Sequence, residues 1–146
     1  ENPEVPMAGE MSGHFFFHDR WNGFDDSLYA TARLIELVAR DQKPFSSLFD
    51  GIPTYPSTGE AKVPLTGGRE ETMDAVRAAY ADMNYSTVDG VRVRYSDGWY
   101  LCRPSNTEPI LVMRAEAESE ESLANIKSDV EKRLGELIDL EKFHSA

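Results

Sequence analysis

The chain has 146 residues, 40% of them hydrophobic, which is enough for one ordinary core or for a small domain plus part of another. A formal net charge of −11 argues against non-specific nucleic-acid binding, which needs a basic face to neutralise phosphates. No apolar run approaches the ~20 residues that cross a bilayer, and no basic segment followed by an apolar one stands near Glu1, so the expectation is a cytoplasmic protein without a membrane partner.

Residues 5–8 and 15–17 read as two short strands around a polar loop, Gly9-Glu10-Met11-Ser12-Gly13-His14. A helix follows to about Arg40. Asp25 or Asp26 suits its N-cap, and Leu28, Ala32, Ile35 and Val38 share one face. Pro44 ends it, and residues 45–57, with Gly51, Pro53, Pro56 and Ser57, read as a hinge between a first part (1–44) and a second (58–146). A lone strand-loop-strand-helix cannot cover its own apolar surface, so residues 1–44 are expected to lack partners and the chain to be a fragment.

In the second part, residues 60–65 read as a strand and about 70–83 as a helix. Val91, Val93 and Tyr95 alternate with Arg92 and Arg94 after an Asp89-Gly90 turn signal, and Ser96-Asp97-Gly98 repeats such a signal. Residues 99–103 and 110–116 are two further strands. Ser119 suits an N-cap, and Leu123, Ile126, Val130, Leu134 and Leu137 trace an apolar stripe on a last helix. The expected class is α+β: an antiparallel four-stranded sheet with two helices on one face, in the order β-α-β-β-β-α.

Between the last two strands lies Arg103-Pro104-Ser105-Asn106-Thr107-Glu108-Pro109. The guanidinium is a planar fork matched to phosphate oxygens, and Ser105, Asn106 and Thr107 add neutral donors, so the loop has the inventory of a phosphate cradle. Ser-Asn-Thr alone also reads as ordinary turn chemistry. In so acidic a chain an anion must be drawn by local charge, from Arg103 with Arg92, Arg94 or Arg114, although Arg114 reads first as an ion-pair partner of Glu116 or Glu118. Cys102 reads as a small buried strand residue, and no Cys or His cluster has metal-ligand spacing.

The loop at 9–14, followed by Phe15-Phe16-Phe17 and Gly23-Phe24-Asp25-Asp26, resembles the sugar-recognition loop of the α-D-phosphohexomutases, in their phosphomannomutase/phosphoglucomutase group. The 103–107 loop resembles that family's C-terminal phosphate loop. Together they cover nearly the whole chain as the C-terminal part of an α/β sugar-binding third domain followed by the fourth domain. Met11 and Asn106 are similar to the mannose/glucose group rather than to the glucosamine mutases, and mannose and glucose stay open.

The resemblance implies an enzyme that interconverts hexose 1-phosphate and hexose 6-phosphate through a bisphosphorylated sugar and an enzyme phosphoserine. Its partners would be mannose and glucose 1- and 6-phosphates, the hexose 1,6-bisphosphate and the remaining domains of the parent chain. Glu10, Ser12 and His14 would contact the sugar, with His14 assisting proton transfer, and Arg103, Ser105, Asn106 and Thr107 would bind phosphate. Taken alone, Glu10 also reads as a solvated acid and His14 as strand-start packing. The serine nucleophile and the Mg2+ site would lie upstream, since neither Thr-Ala-Ser-His nor Asp-Gly-Asp occurs here. The isolated chain would then be inactive, and a stand-alone phosphosugar-binding module is the alternative.

Overall fold

Alternation decides the sheet: Val91 and Val93 are buried while Arg92 and Arg94 between them are exposed, the pattern of a strand with one face on a core. A computed structural model of the chain describes residues 5–10, 12–41 and 43–145. The chain divides into two units, residues 1–52 and 53–146.

In the first unit, strands β1 (Met7–Gly9) and β2 (Phe15–Phe17) form an antiparallel hairpin with Gly9 opposite Phe15. Helix α1 (Ser27–Asp41) follows, and a 3-10 turn spans Phe45–Phe49. Asp26 caps α1, its Oδ1 accepting the N–H groups of Leu28 and Tyr29 at 3.0 Å each. Packing is aromatic and ionic. Trp21 stacks on Tyr29 with ring centres 4.4 Å apart, and the Arg33 guanidinium lies over Phe17 and donates to Asp19 at 2.7 Å. The apolar face that includes Leu28 and Ile35 is open to solvent, these two residues being 83% and 63% exposed.

In the second unit, β3 (Ala61–Pro64), β4 (Tyr85–Ser86), β5 (Val91–Arg94), β6 (Gly98–Pro104) and β7 (Ile110–Ala117) form one antiparallel sheet in the order β3-β7-β6-β5-β4. Helices α2 (Arg69–Ala79) and α3 (Glu120–Leu134) supply Met73, Val76, Leu123, Ile126 and Val130 to a core with Val63, Tyr100, Cys102 and Met113. Ser119 caps α3 through the N–H of Ser122.

Two expectations need correction. The sheet has five strands rather than four, because Tyr85 and Ser86 pair with Val93 and Arg92 at its edge; two residues are too few to show an alternation. The apolar stripe of α3 ends at Leu134, where Gly135 closes the helix, and Leu137 is half exposed. Ile138 and Leu140 turn inward instead, and Phe143 of a short helix α4 (Glu141–His144) sets its ring edge-on against Tyr100 at 5.8 Å.

Candidate functional site

The Arg103–Thr107 segment of the second unit leaves the sheet where Pro104 pairs with Leu111, and the Ser105 N–H donates to the Ile110 carbonyl at 2.9 Å. Ser105 is buried. Its Oγ accepts the N–H groups of Thr107 at 3.3 Å and Glu108 at 3.2 Å, so the hydroxyl folds the loop over itself as an N-cap folds a first turn. From the start of α2, Arg69 donates to the Ser105 carbonyl at 2.5 Å. Asn106 and Thr107 are left exposed at the tip.

Arg103 is oriented by the turn before β5. Gly90 has φ +73°, and a Cβ there would lie 2.3 Å from the Cys102 carbonyl and 2.6 Å from the Arg103 Cβ. Only glycine allows this approach. The same turn brings the Asp89 carboxylate 3.7 Å from Arg103 Nε, a loose pair one third exposed on the arginine side, which an incoming anion can displace.

Register places further cations on the sheet face opposite the helices. Arg92 and Arg114 both stand opposite Leu101, Arg94 opposite Trp99, and Arg103 and Lys62 both opposite Val112; directly paired residues share a face. Arg92 lies over the Trp99 ring at 4.9 Å, and Arg114 donates to Glu116 at 3.3 Å. A strongly acidic chain thus carries one locally basic sheet face, and Arg103 belongs to it.

In the first unit, the Glu10 N–H donates to the His14 carbonyl and the Gly13 N–H to the Glu10 carbonyl, both at 3.0 Å. Gly13, at φ +89°, makes this tight return possible. Ser12 Oγ donates to Glu10 Oε2 at 3.0 Å, and His14 Nδ1 lies 2.6 Å from Asp25 Oδ2. Asp25 therefore departs from the capping role expected for it, which Asp26 fills alone. The hydrogen bond and charge of Asp25 hold the His14 imidazole above its ordinary pKa, with Glu10 adding in the same direction, and Asp25 is correspondingly held below the usual carboxylate range. Two adjacent acids before a helix that needs one cap were the signal for this second role. Met11 lies outside the described residues.

Burial pushes the Cys102 thiol up to about 12, which removes it as a nucleophile. Among the described residues no three His, Cys, Asp or Glu side chains converge as metal ligands. Among them, too, no helix is long and apolar enough to cross a membrane.

Residues 60–133 match the family profile described as phosphoglucomutase/phosphomannomutase, C-terminal domain, and residues 1–55 match phosphoglucomutase/phosphomannomutase, alpha/beta/alpha domain III. The chain is 45% identical over 125 residues to a phosphomannomutase/phosphoglucomutase of Pseudomonas aeruginosa, covering 84% of this chain and 27% of that protein. It is 42% identical over 127 residues to a phosphoglucomutase of Neisseria gonorrhoeae, with 84% and 27% covered. A crystal structure of a phosphoglucomutase/phosphomannomutase family protein from Burkholderia thailandensis superposes with a TM-score of 0.77 at 44% identity, over 90% of this chain and 28% of that one. The chain thus spans about a quarter of the length of these relatives. With both profiles matched in chain order and the sheet of the second unit carrying the Arg103 loop, the chain belongs to the phosphoglucomutase/phosphomannomutase family.

Proposed function

We propose that the chain is part of a phosphohexomutase that interconverts hexose 1-phosphate and hexose 6-phosphate, the hexose being mannose or glucose. The observation that carries this reading is the Arg103 loop: an arginine whose Cα and Cβ are packed close against Gly90, beside exposed Asn106 and Thr107 on a turn that Ser105 holds closed. Charge-assisted hydrogen bonds contribute roughly 1.5–3 kcal/mol each, so Arg103 with one or two neutral donors can hold a phosphomonoester against hydration.

The reaction passes through a bisphosphorylated sugar, so the sugar must bind in two opposite orientations. In each, the 103–107 loop takes the phosphate that is not reacting. Glu10 and Ser12 hold hydroxyls near the middle of the ring, where a carboxylate accepts from two hydroxyls at once. His14 moves the proton of the reacting hydroxyl. Residues 45–57 act as the hinge that lets the intermediate be released and rebound. The phosphoserine nucleophile and the Mg2+ site come from the rest of the parent protein, and magnesium there supplies electrostatic stabilisation of the transferring phosphoryl group.

The test is amide chemical-shift mapping of the 146-residue chain titrated with glucose 1-phosphate and with inorganic phosphate. Saturable shifts at residues 103–107 are expected from both, with shifts at 10–14 from the sugar alone. Shifts confined elsewhere would overturn the assignment.

A further inference from the structure

Asp25 does more than sit beside a helix cap. It lies on an antiparallel bridge to Phe16, and its carboxylate is clamped at both oxygens: Oδ1 accepts the Phe15 N–H at 3.3 Å, and Oδ2 meets His14 Nδ1 at 2.6 Å. An ionised carboxylate only accepts, so the ring proton resides on Nδ1 and the neutral ring keeps its lone pair at Nε2. The His14 side chain is about half exposed, in the same five-residue return as Glu10 and Ser12. The ring is thus held at one end and open at the other.

We propose that Asp25 is a positioning residue for His14, holding the Nδ1–H tautomer and the ring orientation so that Nε2 exchanges a proton with a sugar hydroxyl. This rests on the sugar-binding reading of the 10–14 loop given above. In the forward step Nε2 takes the hydroxyl proton as the sugar oxygen bonds to phosphorus of the phosphoserine donor. The serine O–P bond breaks, and the serine oxygen keeps the electron pair and takes a proton from water. In reverse, Nε2–H returns its proton to the departing sugar oxygen. The charged groups facing the ring are Asp25, ahead of α1, and Glu10, in its own loop, and both favour the imidazolium. The ring therefore stays cationic to higher pH than a free histidine and loses that advantage when Asp25 loses its charge.

The tautomer is read directly by ring 15N NMR of the unmodified 146-residue chain; an Nε2–H tautomer in the neutral ring would overturn the proposal without any variant. Asp25→Asn should lower the His14 titration midpoint, and Asp25→Ala should in addition release the tautomer preference. In the full-length enzyme, Asp25→Asn should reduce kcat/KM by about 10- to 100-fold, no more than the lower end of the 10²–10⁴ range of general acid–base catalysis because His14 itself remains, and shift the histidine limb of the pH profile to lower pH. The melting temperature and inorganic-phosphate affinity should not move. Normal kcat/KM in His14→Ala would remove the reading of His14 and this inference with it. An impaired His14→Ala beside an Asp25→Asn enzyme of normal rate and unshifted profile would overturn this inference alone.

Discussion

The two units obey the same sequence rules with opposite results. In residues 53–146, the inward positions of β5, β6 and β7 meet α2 and α3, and Val63, Val93, Tyr100 and Met113 are fully buried. In residues 1–52, among the described residues, Phe17 is the buried hydrophobic side chain, while Leu34, Ile35 and Leu37 of α1 stay exposed. Leu34 and Leu37, with Met7, Phe15 and Ala30, line an open cavity of about 540 Å3 within this unit. Periodicity encodes which side of an element seeks cover, and says nothing of whether the cover is in the same chain. What holds the first unit is aromatic and ionic: Trp21 stacks on Tyr29, Arg20 and Arg40 reach Glu36 at 2.5 and 2.8 Å, and Arg33 bridges Asp19 and Tyr29.

The comparison is tested most forcefully by truncation in each unit. Leu134→Ala removes a fully buried side chain from the second core and should cost about 2–5 kcal/mol, measured by urea unfolding of that unit. Ile35→Ala, on the stripe of α1, should stay within about 0.5 kcal/mol, because the side chain is already in water. Equal losses at the two positions would mean that α1 is covered in solution.

The functional loops show the same contrast in a smaller space. The 103–107 loop is supported from three directions, by the sheet register, by the Gly90 turn and by Arg69. Arg103→Ala should therefore weaken phosphosugar binding by about 2–5 kcal/mol in the parent enzyme without unfolding the sheet, and Arg103→Lys should also bind poorly because an ammonium lacks the fork. Isothermal titration with glucose 1-phosphate reads both, and unchanged affinity in Arg103→Ala would break the assignment.

Legibility followed the size and repetition of each signal. The alternation of Val91 to Tyr95 and the Ser119 cap marked β5 and the start of α3, and the Arg103 loop was visible as a residue inventory between two strands. Tyr85 and Ser86 were invisible as a strand because pairing there is dictated by β5. Leu137 kept the helical spacing, but Gly135 had already ended the helix, and Ile138, Leu140 and Phe143 make the burial. Asp25 was legible as an acid and illegible as a partner, since the bond to His14 spans a loop and a strand. Arg69 gave no signal at all: its bond to the Ser105 carbonyl joins residues 36 apart in sequence.

Ser105 sharpens the comparison at an intermediate scale. Its Oγ satisfies two loop N–H groups, so Ser105→Ala should behave like loss of a helix cap, costing roughly 1–2 kcal/mol of stability along with a similar loss in phosphosugar affinity. A variant that loses affinity while its unfolding midpoint is unchanged would make Ser105 a ligand donor rather than the clasp of the loop.

The smallest expected kinetic effect belongs to Glu10, where the first unit has least structure to lose. Its carboxylate is exposed, and among the described residues its side-chain partner is Ser12, whose hydroxyl donates to Oε2 at 3.0 Å. In Glu10→Gln the amide oxygen can still accept that proton, so the loop keeps its internal bond and the melting temperature should not change. What disappears is the charge on the acceptor and one of two sites for sugar hydroxyls. Trading charge-assisted for neutral hydrogen bonds is worth roughly 1 kcal/mol, or about fivefold in kcat/KM of the parent enzyme. The same substitution withdraws one of the two charges that raise the His14 pKa, so the histidine titration should fall slightly in the direction that Asp25→Asn drives it further. A melting temperature that drops in Glu10→Gln with normal kinetics would assign Glu10 to the fold of the hairpin instead of to the sugar.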